Sequence, residues 1–290
     1  MKIIAAVNNK GGVGKTTVSK LLTEYFARYC NKRVLALDLD PQCNFSNRFL
    51  KMEIDPTEKE GKLPPIHPSY SEIDAQKGIW DGRSSIADIF FDRPIVPYPT
   101  NILNVEILPG NSAQLLLAEA VRRTEVVEKV HNHLFKFLNL PDVQREYDVI
   151  VIDTPPSKGP LTISVVRAAT DILIPSTMEP QPIEGIYGML QLWRQEQMRR
   201  SQDNPLNLMG ILPNMFKKGV NLHEGYLDTL KRNKNISEYI IPATLGRRTI
   251  FAEVDAKGAS PQSIFDLPAG HIAKQEAMCV CNLINERISK

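Results

Sequence analysis

Short apolar runs alternate with longer amphipathic stretches along this chain, and that alternation sets the expectation for its fold. Lys2 to Val7 and Arg33 to Asp38 are nearly continuous in apolar residues, and Val105 to Leu108, Tyr147 to Ile152, Asp171 to Pro175 and Leu206 to Leu212 have the same form. Continuous apolarity, in place of a polar–apolar alternation, is the pattern of strands buried on both faces, as in a parallel sheet covered by helices. Between the runs, Lys15 to Tyr29 carries Leu21, Leu22, Tyr25 and Phe26 at helical spacing, and Ser112 to Leu138, Leu161 to Ala169 and Ile183 to Arg200 read as further helices. The order predicts one α/β domain over residues 1–290, a doubly wound, mostly parallel sheet flanked by helices. Asp55 to Arg83 breaks the pattern. Its Pro56, Glu58-Lys-Glu60, Lys62, Pro64-Pro65 and Pro68 show weak periodicity and read as a surface insertion. Pro94, Pro97 and Pro99 delimit the strand that follows.

Composition narrows the class. Apolar residues fill 42% of 290 positions, which excludes dominant disorder and supplies a sizeable core. Thirty-five basic against 33 acidic residues leave a formal charge of +2, so any nucleic-acid or membrane surface must be local. Four cysteines are too few for a disulfide-stapled secreted scaffold. The apolar runs fall well short of the ~20 residues a membrane-spanning helix requires, and Ile3 to Val7 is too short for a signal-peptide core. The expectation is a cytoplasmic protein.

The most informative segment is Asn9-Lys10-Gly11-Gly12-Val13-Gly14-Lys15-Thr16-Thr17, between the first strand and the first helix. Glycines let successive backbone amides approach a polyphosphate, and the helix N-terminus adds a positive dipole end. In such a phosphate loop Lys15 reaches the β- and γ-phosphates of ATP, Thr16 ligates Mg²⁺ and Thr17 contacts the α-phosphate. Two more carboxylate-bearing segments end apolar strands, where open α/β sheets bind ligands. Asp38 and Asp40 alternate along Leu37-Asp38-Leu39-Asp40-Pro41-Gln42 and share a side. Asp153 closes Val149-Ile-Val-Ile-Asp153-Thr-Pro-Pro156, in the form of a strand-end carboxylate that holds Mg²⁺ through water. Taken alone, Asp40 reads more readily as a turn or cap aspartate.

The loop departs from the usual phosphate-loop pattern: Asn9 stands where glycine is expected, and Lys10 is an additional lysine. In this it resembles the deviant Walker A ATPases, and its Asp-Pro-Gln and Asp-Thr-Pro-Pro segments resemble the ParA family of partition ATPases within that group. The resemblance implies a P-loop NTPase fold, ATP and Mg²⁺ as cofactors, and an ATP-dependent homodimer in which Lys10 crosses to the partner's nucleotide. It implies that Asp40 positions the hydrolytic water, that Asp153 and Thr154 form the second switch, and that Asp38 supports the metal. Glu184 falls in the segment before an interface-lining helix, where it would meet the partner's ribose. Asn214 and Pro242 fall where the family contacts adenine, although an asparagine ending a strand is also an ordinary turn residue. The similarity spans residues 2–50, roughly 102–215 and, more loosely, 240–275, and leaves out the insertion. The phosphate loop begins at residue 9 with no helix-turn-helix ahead of it, so operator binding is not expected.

Between Asn214 and Arg248 seven basic residues face three acidic ones, a local excess larger than that of the whole chain. Lys217, Lys218, Lys231, Arg232, Lys234, Arg247 and Arg248 suit sequence-independent contact with a phosphate backbone. The resemblance implies non-specific DNA binding by the ATP dimer, nucleoid association in that state, weak intrinsic ATP hydrolysis, and stimulation by a ParB-like partner. Two alternatives belong to other classes. A MinD-like membrane switch calls for a basic amphipathic C-terminal helix, and Ile272 to Lys290 carries few basic residues; no stable membrane association is expected. An iron–sulfur carrier calls for paired cysteines, but Cys279 and Cys281 are two apart on a helix and point about 200° from each other.

Overall fold

The computed structural model describes residues 1–289 apart from 58, 59, 72, 74–77, 79 and 257. Its centre is a seven-stranded sheet. In chain order the strands are β1 (Lys2–Ala6), β2 (Val34–Asp38), β5 (Tyr98–Pro99), β6 (Val105–Leu108), β7 (Val149–Asp153), β8 (Asp171–Ser176) and β9 (Asn207–Pro213), with β3 (Glu53–Ile54) and β4 (Lys62–Leu63) forming a separate antiparallel pair. The spatial order is β5-β6-β2-β7-β1-β8-β9, parallel throughout except for β5. The register aligns Ala6 with Asp153 and Asp38 with Asp153, so β1, β7 and β2 end on one level at the carboxyl edge.

The helices follow from the two faces of these strands. Side chains alternate across a strand, so Ile3, Ala5, Leu35, Leu37, Ile150 and Ile152 face one layer, whereas Ile4, Val34, Val149 and Val151 face the other. The first layer is closed by α2 (Ser112–Glu119), α3 (Thr124–Leu138), α5 (Pro160–Ala168) and α6 (Pro180–Arg199), through residues such as Leu115, Leu134, Val165 and Ile186. The second is closed by α1 (Lys15–Cys30) and α9 (Ile272–Ile288), with Leu22, Phe26, Ala277 and Ile284 against the sheet. Both faces of the central strands are therefore dry, and only their ends reach polar surroundings. Short helices α4 (Pro141–Glu146), α7 (Asn221–Arg232) and α8 (Ile250–Glu253) complete the shell. No helix among the described residues is long and apolar enough to cross a membrane.

The parallel doubly wound architecture is the expected one, with three local differences. The helix anticipated over Ser112 to Leu138 is two helices. Arg122 turns back to donate to the carbonyls of Glu119 and Val121, satisfying groups at the end of α2 so that the chain can change direction before Thr124. The proline group contributes a short edge strand of its own, β5, a place where proline is tolerated. Finally, the segment from Asp55 to Arg83 is seated on that edge: Tyr98 donates to the Pro65 carbonyl, and the buried His67 ring packs 4.5 Å from Tyr98. Glu58 and Lys59 of its charged cluster lie outside the described residues.

Candidate functional site

Chain geometry at the end of β1 forces glycine into the phosphate loop. Gly12 and Gly14 adopt φ of 71° and 81°, in the left-handed region that other residues enter at a cost. At Gly14 a Cβ would also stand 2.2 Å from Asn214 Nδ2. Upstream, the buried Asn8 donates from Nδ2 to the Pro175 carbonyl at 2.9 Å and accepts the Lys10 amide on Oδ1 at 3.0 Å, tying the loop to β8. The wall on the other side is α6, which presents small residues there. A Cβ on Gly185 would meet Asn8 Oδ1 at 2.5 Å, Asn9 Oδ1 at 2.8 Å and Lys10 Cγ at 2.9 Å. Lys10 is half-buried against this helix, and its carbonyl accepts a 3.2 Å bond from Lys15 Nζ. The Lys15 ammonium is buried, which lowers its pKa despite the opposing pull of Asp153 and Asp40.

Three carboxylates converge where β2 and β7 end. Asp153 accepts Thr16 Oγ1 at 2.7 Å and Ser19 Oγ at 3.1 Å, so α1 delivers two hydroxyls to one strand-end carboxylate. Asp38 is fully buried and already engaged: Oδ2 accepts the Ser46 amide at 2.7 Å and hydroxyl at 2.6 Å, and Oδ1 accepts the Asp40 amide at 3.2 Å. These bonds link Asp38 to both ends of the loop from Asp40 to Ser46. Asp40 is 8% exposed and accepts the Gln42 amide at 2.9 Å. Burial, above all, pushes all three carboxyls above their ordinary pKa, and Asp153 adds repulsion at Asp38. The segment after Asp153 is anchored as well. Thr154 donates to the Ala6 carbonyl at 2.7 Å, and Glu119 of α2 accepts Ser157 Oγ at 2.7 Å and the Leu161 amide at 3.0 Å.

Beside the loop lies a cleft of about 570 Å³, lined among others by Gly11, Gly12, Thr177, Glu179, Met215 and Arg247. Thr177 Oγ1 is buried with no hydrogen-bond partner among the described residues, as is Asn9 Oδ1. A hydroxyl and a carboxylate converging next to a glycine loop suit a divalent cation that keeps waters and takes phosphate oxygens, and the unpaired polar atoms mark room for a polar ligand.

Residues 1–207 match the family model described as AAA domain. Over 265 residues the chain is 29% identical to the sporulation initiation inhibitor protein Soj of Bacillus subtilis, covering 91% of each. It is 28% identical over 276 residues to the chromosome partitioning protein ParA of Myxococcus xanthus, covering 89% of this chain and 83% of that one. The chain belongs to the ParA family of partition ATPases. Apo McdA of Cyanothece superposes over 99% of each chain with a TM-score of 0.73 at 17% identity, a likeness of fold.

In this ParA-family ATPase the structure gathers Lys10, Gly11, Gly12, Val13, Gly14, Lys15, Thr16, Asp40 and Asp153 at one edge of the sheet, with Thr17 following on α1. Asn214 joins them, but its amide braces the loop: Nδ2 donates to the Val13 carbonyl at 2.7 Å. Pro242 is exposed on a different cavity of about 440 Å³ that it shares with Pro213, Lys231 and Thr244. Lys217, Lys218, Arg232, Lys234 and Arg247 are exposed, and a bridge between Phe216 and Gly246 sets the first two beside the last. Arg248 is bound bidentately by Glu276, at 2.7 and 3.1 Å, which offsets its charge. Cys279 is exposed and Cys281 buried, so the two thiols face opposite ways. Sequence reasoning missed Ser19, Ser46 and Glu119. Ser19 was recoverable, three residues after Thr16 on the same helix face; Glu119 carries no local signal.

The Gly185 contact gives a direct test. A methyl there overpacks the wall of the phosphate loop, and overpacking costs about 1–3 kcal/mol. Gly185→Ala is expected to weaken binding of a fluorescent ATP analogue by roughly five- to hundredfold while the circular dichroism spectrum stays native. Unchanged affinity with a lowered Tm would place the relaxation in α6.

Proposed function

We propose that this protein is an ATP-driven positioning device that moves DNA or another cargo: with ATP and Mg²⁺ it forms a sandwich homodimer, binds DNA without sequence preference, and lets go after hydrolysis. The observation that carries the reading is the meeting of Lys15, Thr16, Asp40 and Asp153 at the phosphate loop, with a second lysine, Lys10, on its rim.

The residues divide the work. The amides of Gly11 to Lys15 and the N-terminus of α1 bind the polyphosphate, and Lys15 leaves the Lys10 carbonyl to meet the β- and γ-oxygens. Thr16 and Asp153 would hold Mg²⁺, which when bound would neutralise charge on the phosphate oxygens. Asp40 orients a water in line with the γ-phosphorus. The new P–O bond forms as the β–γ bridging bond breaks, giving ADP and phosphate. Lys10 reaches into the partner's site, so the γ-phosphate supplies the attraction that holds two chains together. Membership of a partition family supports this use of the site. Intrinsic hydrolysis is weak and is stimulated by a ParB-like partner. Lys217, Lys218, Arg232, Lys234 and Arg247 contact DNA backbone, and dimerisation doubles the patch, making affinity depend on nucleotide and steeply on salt.

Light scattering with ATP and Mg²⁺ separates the two roles. Asp40→Ala is expected to bind ATP, fail to hydrolyse it and persist as a dimer; normal hydrolysis would show that another group orients the water. Lys10→Ala is expected to stay monomeric at ATP concentrations that dimerise the parent chain, and a stable Lys10→Ala dimer would remove the trans-acting role of that lysine.

A further inference from the structure

The segment from Asp55 to Arg83, which breaks the strand–helix pattern of the sequence, holds the loop that carries Asp40 through Lys62. Lys62, on β4, donates from Nζ to the Gln42 carbonyl at 2.8 Å and to Asn44 Oδ1 at 3.2 Å. Its backbone amide donates to Ser112 Oγ at 2.9 Å, and that hydroxyl in turn donates to the Pro41 carbonyl at 2.7 Å. Consecutive carbonyls after Asp40 are therefore both taken from the insertion side, one directly and one through α2. The consequence reaches the carboxylate, because the amide of the same Gln42 donates to Asp40 Oδ1 at 2.9 Å. Residue 42 thus has its carbonyl fixed by Lys62 and its amide fixing Asp40.

The loop needs an outside hold. Cys43, next in the chain, is a buried non-glycine residue at φ 50°, a left-handed conformation that side chains disfavour and that persists only where surroundings impose it. The described residues around Lys62 are themselves held in place. The Asp55 amide bonds the Gly61 carbonyl, β3 pairs with β4, and Pro65 and His67 are seated on Tyr98 and Pro97 at the sheet edge.

We propose that Lys62 is a positioning residue for hydrolysis, through which the insertion holds Gln42 and so aims the Asp40 carboxylate at the water. The proposal rests on the reading of Asp40 given above. A positioning role predicts an effect on turnover without one on nucleotide binding, since Lys62 makes no contact with the phosphate loop among the hydrogen bonds described.

The experiment is single-turnover ATP hydrolysis with Mg²⁺ and excess protein, alongside binding of a fluorescent ATP analogue, for the parent chain, Lys62→Met, Lys62→Arg and Asp40→Ala. Misplacing a reacting group by about 1 Å can cost 10²-fold. Lys62→Met is expected to hydrolyse roughly ten- to hundredfold more slowly with affinity within about twofold of the parent, and Lys62→Arg, which restores N–H donors, to recover most of the rate. A Lys62→Met rate at or above that of the parent overturns the proposal, as does a parallel loss of rate and affinity, or an arginine variant as slow as the methionine one. Asp40→Ala tells the two claims apart. If it is inactive while Lys62→Met is normal, only the role of Lys62 falls; if it hydrolyses normally, the role of Asp40 falls and takes this one with it.

Discussion

Burial of acid at the end of a dry sheet is the constraint on which the rest of this molecule depends. Asp38 and Asp153 are fully shielded from solvent at adjacent strand ends, with Asp40 close by. Carboxylates in such a place repel each other and lose hydration, and each raises the cost of ionising its neighbours. The fold accommodates them through donors sent from other elements: two hydroxyls from α1 to Asp153, a serine amide and hydroxyl to Asp38, and the Lys15 ammonium between Asp40 and Asp153 in electrostatic terms. What remains uncompensated is a site that gains when positive charge arrives. A divalent cation held by Thr16 and Asp153 would be such an arrival, and in the proposed function it would give the bound nucleotide leverage over the surrounding loops.

The loops are positioned to transmit that leverage. The Asp-Pro-Gln loop is tied to Asp38 through Ser46 and to β4 through Lys62; the Asp-Thr-Pro-Pro loop is tied to β1 through Thr154 and to α2 through Glu119. Helix α2 touches both, with Ser112 at its start on the Pro41 carbonyl and Glu119 at its end on Ser157 and Leu161. Because it ends at Glu119, this short helix bridges the Asp-Pro-Gln and Asp-Thr-Pro-Pro loops.

Most of the fold was legible in the sequence because its signals are local. A parallel core strand announces itself by a continuous apolar run, and Val149 to Ile152 could hardly be anything else. The glycine loop was readable for a related reason, since amides, a helix N-terminus and Gly-Lys-Thr all lie within nine residues. Features built from distant partners were not. Glu119 meets Ser157 across 38 positions, and Lys62 meets Gln42 from a segment whose prolines and charges suggested only a surface excursion. Asn214 was read as an adenine contact, and the bond of its amide to Val13, 201 positions away, belongs to three-dimensional packing that the sequence does not display. The basic stretch was visible as composition, whereas the neutralisation of Arg248 by Glu276 required the fold that brings α9 alongside.

The near-neutral charge of the whole chain acquires a meaning in this light. Under the proposed function, a monomer with few exposed basic residues in its C-terminal third would hold DNA weakly, and two copies brought together by nucleotide would hold it more firmly. The claim that ATP governs this grip is tested most directly by a DNA-binding titration without nucleotide, with ADP and with ATP, each at two salt concentrations. The account predicts binding with ATP that weakens sharply at the higher salt, and little binding in the other two states. Equal binding in all three states, or none in any, would contradict it.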